Sequence, residues 1–272
     1  MNHLPSPAGA PGESGGACEI PPEVYEIAFG WDPTLERDRF LALAGHRPVR
    51  AALELGCGAG RLLAAVAERV DRVVGVELSP AMAGRAEARL ADAGLASRCR
   101  VDVGDMSCVG FDGEFDLVYS SANTIRHVVD DSAIARLWSG IGRALRPGGA
   151  AVFDLELGIE YEAARVGAPA IWTLAAGEEE VRAAWEVVTP PCRTRRCSGI
   201  RWTFEHPCPG RPQRRYSQSF TLRAFDAADL VAFAAGAAVE IDSFYEPRDP
   251  YLLAIDAAHA SGRCLAVFRK TA

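Results

Sequence analysis

The sequence predicts an α/β protein with a doubly wound, mostly parallel seven-stranded sheet and an antiparallel β insertion after the fifth strand. Between residues 49 and 155, short apolar runs with strand character alternate with segments of helical periodicity, a pattern typical of parallel sheets. Residues 156–222 then precede the next clear helix and contain β-rich runs separated by proline and glycine. A structureless loop of that length is uncommon, so the segment is expected to have a sheet of its own.

The elements of the predicted core follow one another in a regular order. The expected strands are residues 51–54, 72–77, 100–103, 116–120 and 150–155, and the expected helices are 60–70, 79–93 and 131–145. Ser79 is a favourable N-cap for the second of these helices, and Pro80 suits its first position. Right-handed crossovers bring the carboxyl ends of parallel strands to one edge, where a ligand is expected.

The remaining segments define the predicted domain organisation. Residues 1–20, rich in Pro, Gly and Ala, are expected to be a disordered tail. Residues 21–155 and 224–272 form the predicted core, which begins with helices at 23–29 and from Pro33 onwards. Residues 156–223 form the predicted insertion, with strands at 181–188, 199–206 and 215–223. A helix at 226–235 and strands at 239–245 and 264–269 complete the core.

Composition narrows the class of protein. The chain has 272 residues and a net charge of −7, and this acidic balance argues against general affinity for nucleic acid. No apolar run approaches the ~20 residues of a membrane span, and the N-terminus lacks the basic region of a signal peptide. The eight cysteines are therefore expected to be reduced thiols in a cytoplasmic protein.

A glycine-rich turn follows the first predicted strand. The apolar run 49–55 ends in Gly56, Gly58 and Gly60, and a helical pattern begins at Arg61. Glycine permits close approach of the backbone to a ligand, and free N–H groups at a helix start attract anions. Glu77 ends the next strand. In nucleotide-binding folds, an acid about 20 residues beyond such a turn binds the ribose hydroxyls. The pattern therefore predicts a nucleotide site.

The glycine spacing indicates which kind of nucleotide is bound. The dinucleotide fingerprint needs a glycine at position 61, whereas this chain has Arg61 and a G-x-G-x-G pattern after the acidic Glu54. This pattern resembles the first motif of class I S-adenosylmethionine-dependent methyltransferases. The family's later motifs are matched in order by Glu77 and by residues 104–106, 115–118 and 145–149. A nicotinamide oxidoreductase and a non-catalytic nucleotide-binding fold are the alternatives.

The resemblance implies S-adenosyl-L-methionine as cofactor and a last strand antiparallel to the others. It places Asp105 near the adenine amino group and Met106 against the ring; a turn-forming Asp is the alternative. Tyr25 and Trp31, which precede the first strand, are expected to cover the cofactor; the alternative is that they only pack on the sheet edge. The full set of expected cofactor contacts is Tyr25, Trp31, Glu54, Gly56, Gly58, Gly60, Glu77, Leu78, Asp105, Met106 and Ser120.

The loop of residues 121–127 resembles the substrate loop of glycine N-methyltransferase and related small-molecule N-methyltransferases, which also carry a β-rich insertion. The match implies that Asn123 and His127 are catalytic, and that Thr124 also contacts the substrate. A His base is chemically suitable because its unperturbed pKa lies near neutrality; a structural His is the alternative. Glu156 stands where the related enzyme carries an Arg for the substrate carboxylate, which favours an acceptor with an amine or hydroxyls.

The insertion leaves two further interpretations open. Its arginines could bind RNA and make the protein an RNA methyltransferase, or they could form a solvated surface. The basic residues are Arg193, Arg195, Arg196, Arg201, Arg211, Arg214 and Arg215. Four candidate zinc ligands lack the usual paired spacing, so no metal is assigned. They are Cys192, Cys197, His206 and Cys208.

The combined prediction is methyl transfer from S-adenosylmethionine to an amine, or a hydroxyl, of a small molecule. A non-catalytic nucleotide-fold binding protein is the alternative from another class. The expected partner is the small-molecule acceptor, with no membrane, and nucleic acid is disfavoured. The insertion and the N-terminal helices are expected to form a lid that shapes the substrate pocket and excludes water. The sequence does not fix the oligomeric state, and a homodimer is compatible with it.

Overall fold

The computed structural model describes residues 18–45, 47–191, 194, 196–207, 212–247, 249, 252–256 and 259–271. The described helices are Pro22–Ala28 (α1), Thr34–Leu43 (α2), Arg61–Ala67 (α3), Pro80–Asp92 (α4), Asp131–Ala144 (α5), Ile159–Ala163 (α6) and Ala227–Ala235 (α7). The described strands are Ala51–Leu55 (β1), Arg72–Glu77 (β2), Cys99–Val103 (β3), Phe115–Ser120 (β4), Leu145–Leu157 (β5), Ala170–Ala176 (β6), Glu179–Thr189 (β7), Cys197–His206 (β8), Arg214–Arg223 (β9), Val239–Tyr245 (β10), Ala254–Ile255 (β11) and Gly262–Lys270 (β12). Two short 3-10 helices span Met106–Cys108 and Thr124–His127.

The central sheet has eight strands in the order β11-β10-β12-β5-β4-β1-β2-β3. Strands β1 to β5 are parallel to their neighbours among themselves, and β12 runs antiparallel to both β5 and β10, as the family resemblance implies. The predicted count of seven is wrong because the two-residue edge strand β11 is too short to leave a sequence pattern. The chain runs from β1 through β2 to β3 on one side and then crosses to β4 on the other side of β1. This reversal creates a switch point at the carboxyl ends of β1 and β4.

Helices cover both faces of this sheet, as a doubly wound fold requires. On one face, α2, α3 and α4 bury apolar side chains such as Phe40, Leu63 and Ala86. On the other face, α5 and α7 contribute Trp138 and Leu230 to a second core cluster. All five residues of β1 are buried, because a parallel strand in the middle of such a sheet meets helices on both sides.

The insertion forms a separate antiparallel sheet in the order β6-β7-β8-β9, between β5 and α7 in the chain. The sequence predicted three of these strands and missed β6, whose residues 171–173 favour a strand although alanine occupies three of its seven positions. The sheet packs against α1 through a cluster that includes Val24, Ile27, Val181 and Phe204. Helix α1 is thereby held by the insertion rather than by the edge of the central sheet.

The structure differs from the predicted N-terminal tail at the end that joins the core. Most of the predicted disordered tail, residues 1–17, lies outside the described residues. Cys18 and Ile20 are packed in the cluster between α1 and the second sheet, however, although Glu19 between them is exposed. The predicted boundary at residue 20 is therefore too late. Within the described chain, no helix combines the length and apolarity that a bilayer crossing requires.

A buried arginine connects the two sheets. Arg126 is fully buried in the loop after β4, and its Nε donates to the carbonyl oxygen of Arg223 at the end of β9 at 2.7 Å. Its Nη2 bonds the carboxylate of Glu162 on α6, and its Nη1 lies 3.6 Å from Glu156 Oε2. A charge without access to water must be neutralised by such contacts, so this cluster fixes the loop relative to the insertion.

Replacing Arg126 by Met should destabilise the fold by about 3–5 kcal/mol, because the carboxylate of Glu162 would remain buried without its partner. Equilibrium denaturation in urea measures this loss. The double variant Arg126→Met/Glu162→Leu should recover much of the stability, because neither charge then needs a partner. The exposed pair of Arg72 and Glu114 supplies the control, since Arg72→Met should cost no more than about 1 kcal/mol. Equal losses for Arg126→Met and Arg72→Met would contradict the role assigned to this cluster.

Candidate active site

The glycine turn and the acid that ends β2 are joined directly. Gly58 has a φ of +55°, and its N–H donates to Glu77 Oε2 at 2.9 Å. The Ser79 N–H donates to the other oxygen of the same carboxylate at 2.8 Å, just before α4 begins. Two backbone donors thus hold the Glu77 carboxylate in place at the carboxyl edge of the sheet.

The other two glycines serve close packing. A Cβ on Gly56 would lie 2.1 Å from Thr124 Cγ2, so the turn can approach the loop after β4 only as glycine. A Cβ on Gly60 would lie 2.8 Å from the Cβ of Ala86 on α4. Gly60 is absent from the described lining of both cavities below, so the structure gives it a role in helix packing instead of the predicted cofactor contact.

A cavity of about 420 Å³ opens at the switch point, between the ends of β1 to β3 and the second sheet. Both carboxylates expected there, Glu77 and Asp105, line it. This is the convergence that the sequence predicted. The other predicted residues on its wall are Tyr25, Gly56, Gly58, Leu78, Met106, Thr124 and His127.

The sequence analysis expected the insertion to form a substrate lid, but it named none of the residues that line the cavity from this side. Trp202 of β8 and Phe220 of β9 line the cavity, together with Gln218. Phe29, which follows α1, and Cys18 complete this side. The available signal was the alternation of aromatic and polar residues along these strands, but it cannot show which face meets the core.

Asp105 has a structural role as well as a place on the cavity wall. Its Oδ1 accepts a hydrogen bond from the Ser107 N–H at 2.8 Å, which caps the short helix Met106–Cys108. The sequence analysis offered a turn-forming Asp as the alternative to a ligand contact. The structure shows the turn-forming role, and the cap holds the exposed carboxylate at the rim of the cavity.

A smaller cavity of about 50 Å³ adjoins the first, and Gly56 and Gly58 line both. Trp31, Glu54 and Arg61 line the smaller one. Trp31 therefore faces this cavity rather than only packing on the sheet edge. The two adjoining spaces form one elongated site that bends at the glycine turn.

Glu54 is buried at the base of the smaller cavity, with 3% of its surface exposed. Tyr119 Oη donates to Glu54 Oε2 at 3.0 Å. Burial raises the pKa of the Glu54 carboxyl to about 8, because a desolvated carboxylate is unfavourable. The side chain therefore carries a proton over much of the neutral range.

Arg61 lines the smaller cavity together with Glu26 and Glu54, and the sequence analysis did not assign it to the site. Its guanidinium lies 5.0 Å from the centre of the Trp31 ring, and its Nη2 bonds Glu36 at 2.7 Å. Its Nη1 is buried and has no hydrogen-bond partner among the described residues. The signal was present at position 61, where a charged residue replaces the third glycine of the dinucleotide fingerprint.

Ser120 does not reach the site. Its Oγ donates to the carbonyl oxygen of Leu55 at 2.9 Å, and the residue is buried. It is absent from the described lining of both cavities. The predicted cofactor contact is thus replaced by a bond that ties β4 to β1 beside the glycine turn.

Asn123 and Glu156 support the loop after β4. Asn123 has a left-handed φ of +68°, and its Oδ1 accepts the Glu156 N–H at 2.6 Å. The Glu156 carboxylate lies 2.6 Å from Arg165 Nη1 and is also near Arg126. Neither residue belongs to the described lining of the two cavities, so the geometry gives both a structural role where substrate contacts were predicted.

His127 lies on the cavity wall, stacked on Phe220 with ring centres 5.0 Å apart. Burial, and secondarily the charge of Arg126, lowers its pKa to about 4. The imidazole is therefore uncharged at neutral pH and can accept a hydrogen bond at one ring nitrogen.

Two arginines of the insertion form ion pairs, and two of the candidate zinc ligands lie far apart. Arg196 pairs with Asp229 of α7, and Arg201 Nη1 lies 3.6 Å from Glu186 Oε2. Cys197 and His206 begin and end β8, so they lie about 30 Å apart at the usual rise per residue and cannot share one zinc ion. The other zinc candidates, Cys192 and Cys208, lie outside the described residues, as do Arg193, Arg195 and Arg211.

Comparison with known proteins agrees with this geometry. Residues 52–149 match the methyltransferase domain family. Cypemycin N-terminal methyltransferase of a Streptomyces species is 36% identical over 124 residues, which are 45% of this chain and 49% of that protein. The chain spans less than half the length of the curated relatives that it matches first.

Solved structures extend the likeness over the whole chain. The sugar N-methyltransferase KedS8 from Streptoalloteichus sp ATCC 53650 superimposes with a TM-score of 0.73 at 23% identity, over 100% of both chains. The amino pentose methyltransferase CalS10 from Micromonospora echinaspora gives 0.68 at 24% identity, over 91% of this chain and 97% of its own. At these identities the likeness shows that the chain has the methyltransferase fold, including the second sheet.

Glu54 should make the stability of the ligand-free protein depend on pH. Its folded pKa of about 8 exceeds the reference value of 4.5, so the folded state holds the proton more tightly between these values. Stability should therefore fall as pH rises through this range, by up to about 1.4 kcal/mol per pH unit. Urea denaturation at pH 5 to 8 should show this slope in wild type and lose it in Glu54→Gln. Parallel curves would contradict the assignment, and Glu114→Gln provides an exposed control.

His127 should remain uncharged through the neutral range. Its imidazole NMR signals, assigned by their loss in His127→Gln, should stay constant between pH 6 and 8 and move only near pH 4. Phe220→Leu should raise this pKa towards 6.5, because it removes the ring that shields the imidazole. A titration of wild-type His127 between pH 6 and 7 would contradict the burial argument.

Proposed function

We propose that this protein is an S-adenosylmethionine-dependent methyltransferase that methylates an amine, or a hydroxyl, of a small molecule. The observation that carries the proposal is the elongated site at the glycine turn. It has two carboxylates, Glu77 and Asp105, in its larger part and the Glu54–Arg61 pair in its smaller part. The methyltransferase family match over residues 52–149 supports the same conclusion.

The larger cavity fits an adenosyl group. The Glu77 carboxylate would accept hydrogen bonds from ribose hydroxyls, and the Asp105 carboxylate would accept one from an exocyclic amine. Leu78, Met82 and Met106 line the space with apolar surface suitable for a purine ring. Leu78 is 44% exposed, and a bound ring would cover it.

The smaller cavity fits the amino-acid end of the same cofactor. Arg61 Nη1, buried without a described partner, would bind an α-carboxylate, which matches its fork geometry. The Glu54 carboxyl would face an α-ammonium group and give up its proton to form the ion pair. An orphaned buried donor and a protonated buried acid thus both gain partners from one zwitterionic ligand.

The chain's contribution to the reaction would be alignment and proton handling. When bound, S-adenosylmethionine supplies an electrophilic methyl group on a sulfonium that is already a good leaving group. Thr124 and His127 would orient the acceptor opposite the glycine turn, and such alignment alone can be worth about 7–11 kcal/mol. The uncharged His127 would accept a hydrogen bond from the acceptor's N–H or O–H. The second sheet would exclude water from the reacting atoms.

An amine acceptor is favoured over a hydroxyl by the relatives. The cypemycin enzyme is named as an N-terminal methyltransferase, and KedS8 is named as a sugar N-methyltransferase. An RNA acceptor is disfavoured because two arginines of the basic insertion, Arg196 and Arg201, are paired with acids. A non-catalytic role would leave the orphaned Arg61 nitrogen and the convergent acids without a purpose.

Replacing Gly58 by Val should abolish binding of S-adenosylmethionine while the fold survives, because the added side chain would enter the space between the two cavities, towards the ring of Tyr25. Isothermal titration calorimetry measures the affinity, and circular dichroism monitors the fold. Gly94→Val is the matched control. Gly94 also has a positive φ, +70°, but nothing lies within 4 Å of its added Cβ. Unaltered affinity in Gly58→Val would refute the role of the turn, and no binding to wild type would refute the proposed function.

A further inference from the structure

The acceptor side of the larger cavity is walled by stacked aromatic rings. Trp202 lies 4.8 Å from Phe220 and 5.5 Å from Phe29, measured between ring centres. Phe220 in turn stacks on His127, and Tyr25 lies 6.2 Å from Trp202. All five residues line the cavity, so a bound molecule would meet a continuous aromatic surface there. We call these five residues the aromatic wall.

One polar atom of the aromatic wall lacks a partner. Trp202 Nε1 is buried, and no described residue accepts its hydrogen bond. Trp172, on the neighbouring part of the same sheet, shows the usual solution, because its Nε1 donates to the carbonyl oxygen of Ala28 at 2.7 Å. A buried donor left unpaired costs about 1–3 kcal/mol, so the Trp202 N–H needs an acceptor from elsewhere.

The strand register brings a second polar side chain beside this donor. Trp202 pairs with Gln218 of β9 and with Trp185 of β7. Directly opposed residues of antiparallel strands point to the same face, about 4.5–5.5 Å apart. Gln218 also lines the cavity. The wall thus contains two uncharged polar groups within a largely apolar surface, the unpaired Trp202 N–H and the Gln218 amide, whose Oε1 accepts the Glu19 N–H.

Charge is distributed unevenly around the cavity. The described lining residues that carry charge are Glu77, Asp105, Asp130 and Arg136, which follow β2 and β3 or belong to the start of α5. The lining residues contributed by α1 and the second sheet within the described chain are uncharged. No cation on this side would compensate a carboxylate of the acceptor, whose burial would then be unfavourable.

We propose that Trp202 determines acceptor specificity by donating its indole N–H to a hydroxyl or carbonyl oxygen of the acceptor. The acceptor is an alicyclic amine, with its amino group attached to a saturated ring, and it carries no carboxylate. The apolar face of the acceptor's ring packs on the aromatic wall, and its amine points to Thr124 and His127. This inference rests on the proposed methyl transfer. It adds the chemical class of the acceptor and the residue that recognises its oxygen.

The indole N–H signal of Trp202 in ¹⁵N NMR spectra tests this directly. The chain has five tryptophans, and the Trp202 signal is the one lost in Trp202→Phe. The probes are the 2-, 3- and 4-hydroxy derivatives of cyclohexylamine, added to protein saturated with S-adenosylhomocysteine. At least one amino alcohol should shift the Trp202 signal downfield, whereas cyclohexylamine and 1-aminocyclohexanecarboxylate should not. The Trp172 signal should stay in place, because its N–H already has an acceptor.

The ratio of kcat/KM values for two acceptors provides a second test of the same proposal. Wild type should methylate the effective amino alcohol with a higher kcat/KM than cyclohexylamine, and Trp202→Phe should reduce this ratio about 2- to 10-fold. Trp172→Phe is the matched control, since Trp172 is not among the described lining residues and phenylalanine keeps an aromatic ring against Phe29. It removes an indole N–H from the same sheet and should leave the ratio unchanged. Thermal unfolding verifies that both variants are folded.

The possible outcomes separate this inference from the proposed function. If S-adenosylhomocysteine does not bind in calorimetry, the proposed function fails, and the inference fails with it. If it binds but no probe shifts the Trp202 signal, only the role of Trp202 and the acceptor class are refuted. A shift with 1-aminocyclohexanecarboxylate equal to that with the amino alcohols would refute the exclusion of carboxylates.

Discussion

The buried guanidinium of Arg126 is the constraint on which the geometry of the site depends. The loop after β4 supplies Thr124 and His127, whereas the second sheet supplies the facing wall, and Arg126 bonds groups from both. Because its charge has no access to water, loss of either partner is costly, and loop and insertion are therefore held as one unit. Asn123 belongs to the same arrangement, since its Oδ1 accepts bonds from Arg126 and from the backbone of Glu156.

Burial affects the two titratable groups of the site in opposite directions. It raises the pKa of the Glu54 acid and lowers that of the His127 base, because in both cases the charged form loses hydration. Both side chains are therefore largely uncharged at neutral pH in the ligand-free site. A cationic ligand changes this balance for Glu54, which can ionise once an ammonium group lies beside it. The same site is thus stable without ligand and electrostatically complementary with it.

The parts of the site that the sequence predicted are those fixed by local backbone geometry. A glycine turn after a strand, and acids such as Glu77 and Asp105 at strand ends, are placed by a few neighbouring residues and by the parallel topology. Trp202 and Phe220 could not be predicted, because their position depends on which face of the second sheet meets the core. Glu156 was assigned to the substrate from its place in the chain alone. The structure shows that ion pairs with distant residues decide its orientation.

The cofactor side and the acceptor side of the larger cavity depend on different parts of the fold, so substitutions affect them differently. Glu77 and Asp105 are held by backbone N–H groups at the ends of core strands, so changes in the second sheet leave their geometry intact. Apart from His127, the aromatic wall is built from side chains of β8, β9 and the segment of α1 and Phe29, which can be exchanged for others of similar volume without altering the central sheet. Acceptor specificity can therefore change while the cofactor side is preserved. The limit is the end of β9, where the Arg223 carbonyl must continue to meet Arg126.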